Sequence, residues 1–295
     1  MSRSALTGGA AYIDDQFIPI SEARIPILDW GFLHSDATYD VVHVWQGRFF
    51  RLDDHLDRFL RGIGRLHMSL PHNRHKISDI LFECVRLSEL RDAYVEMICT
   101  RGVPTPGSRD PRQCVNRFYA FAVPFVWIAS PEKQQEGLHL IISQVKRIPA
   151  ESVDPTIKNY HWLDLVAGLY DAYSRGGETA VLIDREGNVI EGPGFNIFVV
   201  KSHKIATPGQ DVLESITCKT VIEHSPWPTC YTCTRENTAL SESFDTPTLA
   251  RLVLAHIDAD PDSLRFTPIP RASTTRPTEW TATKAASCCP SRSTV

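Results

Sequence analysis

The stretch Asp154-Pro155-Thr156-Ile157-Lys158-Asn159-Tyr160 decides how the rest of this 295-residue chain is interpreted. A glycine-rich segment, Glu191-Gly192-Pro193-Gly194-Phe195-Asn196, begins thirty-three residues after Lys158, and the pair Ile216-Thr217 follows Glu191 by twenty-five residues. A lysine amine can form a Schiff base, a carboxylate can pair with a protonated ring nitrogen, and the start of a helix can receive a phosphate. In this order, the three signals favour a site for pyridoxal phosphate.

The composition argues against several kinds of partner. Hydrophobic residues make up 42% of the chain and charged residues 22%, and the net charge of -4 provides no basic surface for nucleic acid or anionic lipid. Residues 1–6 lack the apolar core of a signal peptide, and the longest apolar stretch, residues 118–129, is too short to span a bilayer. Cys230 and Cys233 have no second pair of ligands that would complete a zinc site. We therefore expect a cytoplasmic protein that binds no metal, nucleic acid or membrane.

The first 129 residues have the pattern of an α+β domain. Apolar residues alternate on both sides of Asp14-Asp15 and of Gln46-Gly47, which predicts two β-hairpins. Apolar residues at helical spacing follow Asp53-Asp54, and a second helix is predicted around Ile77–Leu87. We therefore predict an N-terminal α+β domain over residues 1–129.

A second domain is predicted over residues 137–223, after a polar linker at residues 130–136. Its pattern indicates a strand from Leu138, an apolar helix over residues 163–173 and a further strand over residues 195–200.

The composition changes from residue 224 to residue 295. Ser, Thr and Pro become abundant there, and the last glycine of the chain is Gly209. Glycine is the usual residue for turns with positive φ, so a segment without glycine is poorly suited to form part of a β-rich domain. We interpret residues 224–295 as an aberrant tail and a candidate for disorder.

Residues 10–223, roughly three quarters of the chain, resemble the fold type IV pyridoxal-phosphate enzymes, the branched-chain-aminotransferase-like class. Within that class they are most similar to the (R)-selective amine transaminases. The matching segments are Gly31–Asp36, Gly47–Leu56 and the stretches around Lys158 and Glu191. The resemblance implies a two-domain α+β fold with a small N-terminal domain, a larger barrel-like C-terminal domain that is incomplete here, and a homodimer that holds the cofactor between the domains.

The resemblance assigns the cofactor site residue by residue. Lys158 matches the Schiff-base lysine, which also moves the proton during transamination, so its amine should be partly desolvated and have a lowered pKa. Glu191 matches the acid that keeps the pyridine nitrogen protonated. Arg58 matches the phosphate-binding arginine. The other matching cofactor residues are Asn196, which is either a turn residue or part of the cofactor loop, Leu213, Ile216 and Thr217.

One position in the cofactor loop departs from the family. Pro193 stands where the family usually has serine. The exchange removes a backbone donor and a hydroxyl group. It is expected to weaken cofactor binding.

For the substrate, Glu96 is the most informative position. Branched-chain enzymes have an arginine there, which suits an α-carboxylate, whereas a glutamate repels that group. Arg109, in a loop rich in Gly and Pro, resembles the mobile arginine that binds the carboxylate of a 2-keto acid. The remaining positions that match pocket-lining residues are Tyr39, Val41, His43 and Tyr94.

The sequence thus predicts a transaminase that moves an amino group between an (R)-amine and a 2-keto acid. Alternatives within the class are a D-amino-acid or branched-chain aminotransferase and an aminodeoxychorismate lyase-like enzyme. An alternative of another class is a degenerate homologue without catalytic activity. The family's late glycine-containing phosphate segment has no match after Gly209, so we hypothesise a frameshift or unspliced intron near codon 224. Sequencing the transcript across that codon tests this, and an uninterrupted frame encoding the same tail would refute it.

Overall fold

A computed structural model describes residues 8–201, 204–225, 228–232 and 264–266. Six antiparallel strands form its first sheet: β1 (Ala10–Ile13), β2 (Gln16–Pro19), β3 (Ala37–Trp45), β4 (Arg48–Phe49), β5 (Ala93–Pro104) and β6 (Cys114–Pro124). They lie in the order β2-β1-β6-β5-β3-β4. The longest strands therefore occupy the middle of the sheet.

Both predicted hairpins are present. Asp14 and Asp15 have φ of 48° and 59°, and Gln46 and Gly47 have φ of 52° and 76°. Two consecutive residues with positive φ give the tight turn whose twist matches that of the flanking strands. The turn residues therefore set the register of β1 with β2 and of β3 with β4.

Helices cover one face of this sheet. Three helices belong to this part of the chain: α1 (Trp30–Leu33), α2 (Leu52–Arg65) and α3 (Arg74–Ser88). Buried residues of α2 and α3, such as Phe59 and Ile80, pack against buried residues of the central strands, such as Val42 and Val95. Side chains alternate between the faces of a strand. Tyr39, Val41 and His43 of β3 therefore share the opposite face with Tyr94 and Glu96 of β5, and the register pairs Val41 with Glu96 and His43 with Tyr94.

The rest of the described chain forms smaller sheets. Its elements are α4 (Pro131–Glu136), β7 (Leu138–Lys146), α5 (Leu163–Ser174), β8 (Thr179–Ile183), β9 (Glu191–Gly192), β10 (Phe195–Asn196), β11 (Val199–Lys201), β12 (Lys204–Pro208), α6 (Ile216–His224), β13 (Thr229–Thr232) and β14 (Leu264–Phe266). The strand orders are β14-β7-β8, β10-β9 and β11-β12-β13. Helix α5 connects the parallel strands β7 and β8 and packs on them through Leu165 and Ala172.

Three features differ from the sequence prediction. The predicted linker contains α4, because Pro131 opens the helix and the side chain of Ser130 accepts a hydrogen bond from the Lys133 N–H. The predicted strand over residues 195–200 is divided between β10 and β11, which belong to different sheets.

The third difference lies in the predicted tail. Strand β13 pairs with β12 and strand β14 pairs with β7, so these short pieces join sheets through backbone hydrogen bonds. The other residues beyond 232 lie outside the described residues. Within the described part of the chain, every helix is too short or too polar to cross a membrane.

Candidate active site

Lys158 lies on a loop whose main chain is attached to strand β3. Its carbonyl oxygen accepts hydrogen bonds from the Tyr39 N–H at 3.1 Å and from the Thr38 hydroxyl at 2.8 Å. Its side-chain nitrogen Nζ lies 4.6 Å from the centroid of the Tyr39 ring. The loop thus places the predicted lysine beside the open face of the first sheet, which is the face opposite α2 and α3.

The surroundings of Lys158 change its acidity. Burial lowers the pKa of its amine, and the positive charge of Arg58 lowers it further, while the carboxylates of Asp40, Glu96 and Glu191 act in the opposite direction. The net pKa lies below the ordinary value of a lysine. The amine is therefore unprotonated at a lower pH than a surface lysine and is more available as a nucleophile.

Arg58 is held by a buried network that the sequence interpretation did not include. Its Nε and Nη2 donate to the two carboxylate oxygens of Asp40 at 2.7 and 2.8 Å, and the ring Nδ1 of His55 lies 2.7 Å from Asp40 Oδ1. Burial opposes ionisation of Asp40, but hydrogen bonds from His55 and Arg58 outweigh it and lower the pKa of Asp40. The signal in the sequence was an aspartate at the same face of β3 as the core residues Val42 and Val44.

Arg58 retains donors after these contacts. Its Nη1 also donates to the Glu214 carbonyl oxygen at 2.7 Å, directly before helix α6. A guanidinium group has five N–H donors, and these three hydrogen bonds use three of them. Arg58 therefore links α2 to the start of α6 and can still donate to an anion.

Glu191, on strand β9, belongs to a second buried network. Its Oε1 accepts from Nε and Nη2 of Arg147 at 3.1 and 2.9 Å, and Nη1 of Arg147 donates to Asp164 at 2.5 Å. Burial raises the pKa of Glu191, and the Arg147 charge opposes the shift without cancelling it. Arg147 and Asp164 were absent from the sequence interpretation, since neither belongs to a recognisable motif.

The loop before α6 approaches Glu191. The Leu213 N–H lies 3.4 Å from Glu191 Oε2, and the Asn196 side chain donates to the Leu213 carbonyl oxygen at 3.1 Å. Ile216 and Thr217 open helix α6, where the first N–H groups of a helix have no intrahelical acceptor. The structure therefore brings most of the predicted cofactor residues together, with Asn196 holding the loop rather than ending a turn.

Glu96 lies on the open sheet face, is buried, and has two phenol partners. Tyr160 donates to its Oε1 at 2.5 Å and Tyr94 to its Oε2 at 3.1 Å. The rings of Tyr160 and Tyr39 stack with centroids 4.3 Å apart. Burial raises the pKa of Glu96, against the effect of both phenol hydrogen bonds. Tyr160 was also missed, and its only signal was its place two residues after Lys158.

The other predicted substrate residues have different surroundings. Val41 is partly buried beside Glu96, whereas the ring of His43 is exposed and lies 4.9 Å from that of Phe125. Arg109 is exposed, and no contact with a described residue joins it to the Lys158 region. A cavity of about 440 Å³ lies elsewhere along the Lys158 loop, lined by residues such as Asn159, and contains none of the predicted site residues.

Comparison with known proteins shows which family this chain resembles. Residues 37–232 match the amino-transferase class IV family. A putative branched-chain-amino-acid aminotransferase of Methanocaldococcus jannaschii is 31% identical over 72% of this chain and 73% of its own length. The chloroplastic D-amino-acid transaminase of Arabidopsis thaliana is 28% identical over 66% of this chain and 52% of its own length.

Solved structures show the same fold. The branched-chain amino acid aminotransferase from Thermobaculum terrenum in its PLP form has a TM-score of 0.66 and 22% identity, and the match covers 75% of this chain and 76% of that one. The matched family uses pyridoxal phosphate as its cofactor. On the family match and the 31% identical relative, this chain belongs to the amino-transferase class IV family and is a pyridoxal-phosphate-dependent aminotransferase.

Proposed function

We propose that this chain moves an amino group between an (R)-amine and a 2-keto acid. The observation that carries the proposal is Glu96, a buried carboxylate on the same sheet face as Tyr39, whose ring contacts Lys158. No basic side chain among the described residues forms an ion pair with Glu96. The pocket therefore lacks the positive charge that an amino acid's α-carboxylate requires at this position.

The described residues fit the cofactor. Arg58 has free donors for a phosphate, and the start of α6 lies beside it through the Glu214 contact. Among the described residues, Glu191 Oε2 has only the long contact with Leu213, so it can accept from a protonated ring nitrogen. When bound, pyridoxal phosphate supplies the electron sink for the carbon that loses its proton.

Lys158 has two tasks in this proposal. Its amine would hold pyridoxal phosphate at the cofactor's aldehyde carbon and, when free, would take up and return the proton of the reacting carbon. Its lowered pKa serves both tasks, because each requires the neutral amine near neutral pH. The Tyr39 ring, whose centroid lies 4.6 Å from Lys158 Nζ, would contact the amine when it is free.

A second candidate is the transamination of amino acids. The names of the two relatives, a putative branched-chain and a D-amino-acid aminotransferase, favour it over an amine donor. It requires another group to bind the α-carboxylate. The predicted role of Arg109 in binding the keto acid's carboxylate stays a prediction in both cases, since Arg109 is exposed and no hydrogen bond or ion pair among the described residues joins it to Lys158 or Glu96.

The first experiment tests whether the site assembles. Purified protein receives pyridoxal phosphate, its absorbance spectrum is recorded, and borohydride reduction is followed by peptide mass mapping. We expect the cofactor on Lys158 and none in Lys158→Ala, while Lys133→Ala, an exposed control, behaves as the wild type. A colourless, folded wild-type protein would favour the degenerate homologue.

The second experiment separates the two donors. The rates with (R)- and (S)-1-phenylethylamine, L-leucine and D-alanine are measured with pyruvate as acceptor. The proposal requires the (R)-amine to be preferred, and preference for leucine or D-alanine supports the second candidate. Glu96→Gln removes the charge while keeping the shape, so it should shift the ratio of kcat/KM values towards the amino acids.

The family resemblance also leads us to propose a homodimer. Residues 25–33 expose several apolar side chains, including Ile27 at 72%, Leu28 at 61% and Phe32 at 62%. An exposed apolar segment of this kind is typical of a protein interface. We expect a dimer in sedimentation analysis and a monomer for Phe32→Glu, and a monomeric wild type would contradict the proposal.

A further inference from the structure

Tyr160 contacts two groups beside Lys158 and has no task in the function proposed above. Its hydroxyl donates to Glu96 at 2.5 Å, and its ring stacks on Tyr39 with a centroid distance of 4.3 Å and an interplanar angle of 9°. The Tyr39 ring in turn lies 4.6 Å from Lys158 Nζ. A continuous series of contacts therefore runs from Glu96 through both rings to the lysine amine.

Both ends of this series are fixed to the sheet. Glu96 is on the central strand β5 and is 7% exposed, and Tyr39 is on β3 and is 5% exposed. The Lys158 carbonyl is tied to Thr38 and Tyr39, which limits the movement of the loop that carries Tyr160. A tyrosine has only two side-chain torsions, so one hydrogen bond and one stacked neighbour are enough to fix its ring.

We propose that Tyr160 is a positioning residue that acts on Lys158 through Tyr39. Its bond to Glu96 fixes the Tyr160 ring, and the stack then keeps the face of Tyr39 turned towards the lysine amine. This inference deepens the proposed function and rests on Lys158 being the catalytic amine. In it, Glu96 has a second use besides repelling a carboxylate, since it anchors the stack.

Loss of the stack between Tyr39 and Tyr160 is expected to change the pKa of Lys158 in one direction. The charges that act on Lys158 are those of Arg58 from α2, Asp40 from β3, Glu96 from β5 and Glu191 from β9, and the Tyr39 ring lies beside its amine. An aromatic face attracts an ammonium group and so favours the protonated amine. The three carboxylates also favour the protonated amine, whereas the charge of Arg58 disfavours it. Loss of the stack therefore lowers the pKa of Lys158 further, and it also leaves the released amine without a fixed position.

The test compares Tyr160→Leu, which removes the ring and the hydrogen bond, with Tyr160→Phe, which keeps the ring. Tyr170→Phe, on α5 and 70% exposed, is the control. The pKa of Lys158 is measured in the full chain by competitive acetylation from pH 6 to 11 with peptide mass spectrometry. Lys76, which is exposed on α3, serves as the internal reference.

We expect the Lys158 pKa to fall by about half a unit to one unit in Tyr160→Leu and by less in Tyr160→Phe. We also expect kcat to fall roughly three- to tenfold in Tyr160→Leu with a much smaller change in the KM for the keto acid. In a Tyr39→Leu background, Tyr160→Leu should add little to either effect, because Tyr160 acts through Tyr39.

An unchanged Lys158 pKa in folded Tyr160→Leu overturns the proposal, and so does a full additional effect in the Tyr39→Leu background. Tyr160→Met replaces Tyr160→Leu if the latter does not fold. The acetylation requires no turnover. A shifted pKa in a protein that does not accept (R)-amines therefore supports the positioning role and contradicts only the proposed substrate.

Discussion

Two buried clusters beside Lys158 each join a carboxylate to a guanidinium group, yet the pKa of the carboxylate is shifted in opposite directions in the two clusters. The Asp40 cluster consists of Asp40, His55 and Arg58. The Glu191 cluster consists of Arg147, Asp164 and Glu191. In the first, a carboxylate with two nitrogen-bearing partners has a lowered pKa, and in the second, Glu191 shares one guanidinium with Asp164 and has a raised pKa.

The difference shows how the numbers of carboxylates and guanidinium groups determine what each cluster can bind. The Asp40 cluster leaves donors on Arg58, which suits an anionic phosphate. The Glu191 cluster has an excess of carboxylate, which suits a protonated ring nitrogen. A cofactor with a phosphate at one end and a basic nitrogen at the other is therefore expected to bind in one orientation.

The largest expected effect comes from removing the single cation of the Glu191 cluster. Arg147→Met leaves the buried carboxylates of Glu191 and Asp164 without their shared cation, and breaking a buried pair in this way costs about 3–5 kcal/mol. Urea denaturation measures the loss of unfolding free energy. Arg175→Met, whose 3.4 Å pair with Asp171 is partly exposed, is the control and should change stability little. Equal losses in the two variants would contradict the distinction between buried and exposed pairs.

Neutralising Glu191 should affect the reaction more than the fold. Glu191→Gln keeps the side chain's size but removes the charge that we propose pairs with the ring nitrogen, and we expect kcat to fall roughly a hundredfold, as when one preorganised group is lost. Steady-state kinetics and the cofactor's absorbance measure the effect. Glu178→Gln, which removes an exposed carboxylate paired with Lys133, is the control. Unchanged kcat in Glu191→Gln would remove Glu191 from the proposed site.

The two carboxylates should respond to pH in opposite directions. Asp40 has a lowered pKa, so its contribution to stability is present above its ordinary value of 3.8 and is lost as the pH falls through the folded pKa. Glu191 has a raised pKa, so its contribution is present below its ordinary value of 4.5 and is lost as the pH rises through the folded pKa. Urea denaturation between pH 3 and pH 8 tests both signs.

In that series, the stability advantage of the wild type over Asp40→Asn should shrink as the solution becomes acidic. The stability of Glu191→Gln relative to the wild type should increase as the pH rises above 4.5. Parallel curves for the two variants would show that the clusters do not differ as described.

The smallest effect is expected at the exposed ion pairs between α2 and α6. Lys219 Nζ lies 2.7 Å from Asp54 Oδ1, and the lysine side chain is 52% exposed. Lys219→Met should cost less than about 1 kcal/mol, and the loss should vanish at high salt because exposed pairs are screened. Denaturation at low and high ionic strength measures it, with Lys76→Met on α3 as a control. A large loss of unfolding free energy that does not depend on salt would show that this pair contributes to stability as the buried clusters do.

The amino-acid sequence predicted much of the local structure, the family and the candidate site residues. Turn residues at 14–15 and 46–47 predicted both hairpins, since their backbone conformation depends on neighbouring residues alone. The spacing of Lys158 and Glu191, with the resemblance it supports, predicted the family. These signals are encoded in short segments of the chain.

The groups that surround those residues are visible only once the chain is folded. The contacts of Asp40 with Arg58, of Arg147 with Glu191 and of Tyr160 with Glu96 join residues far apart in the chain, and no short-range pattern indicates such pairings. The division of residues 195–200 between two sheets likewise depends on which strands are available as partners. Burial and long-range pairing then set the charge state of each group, because an ionisable side chain responds to the groups it faces and not to its neighbours in sequence.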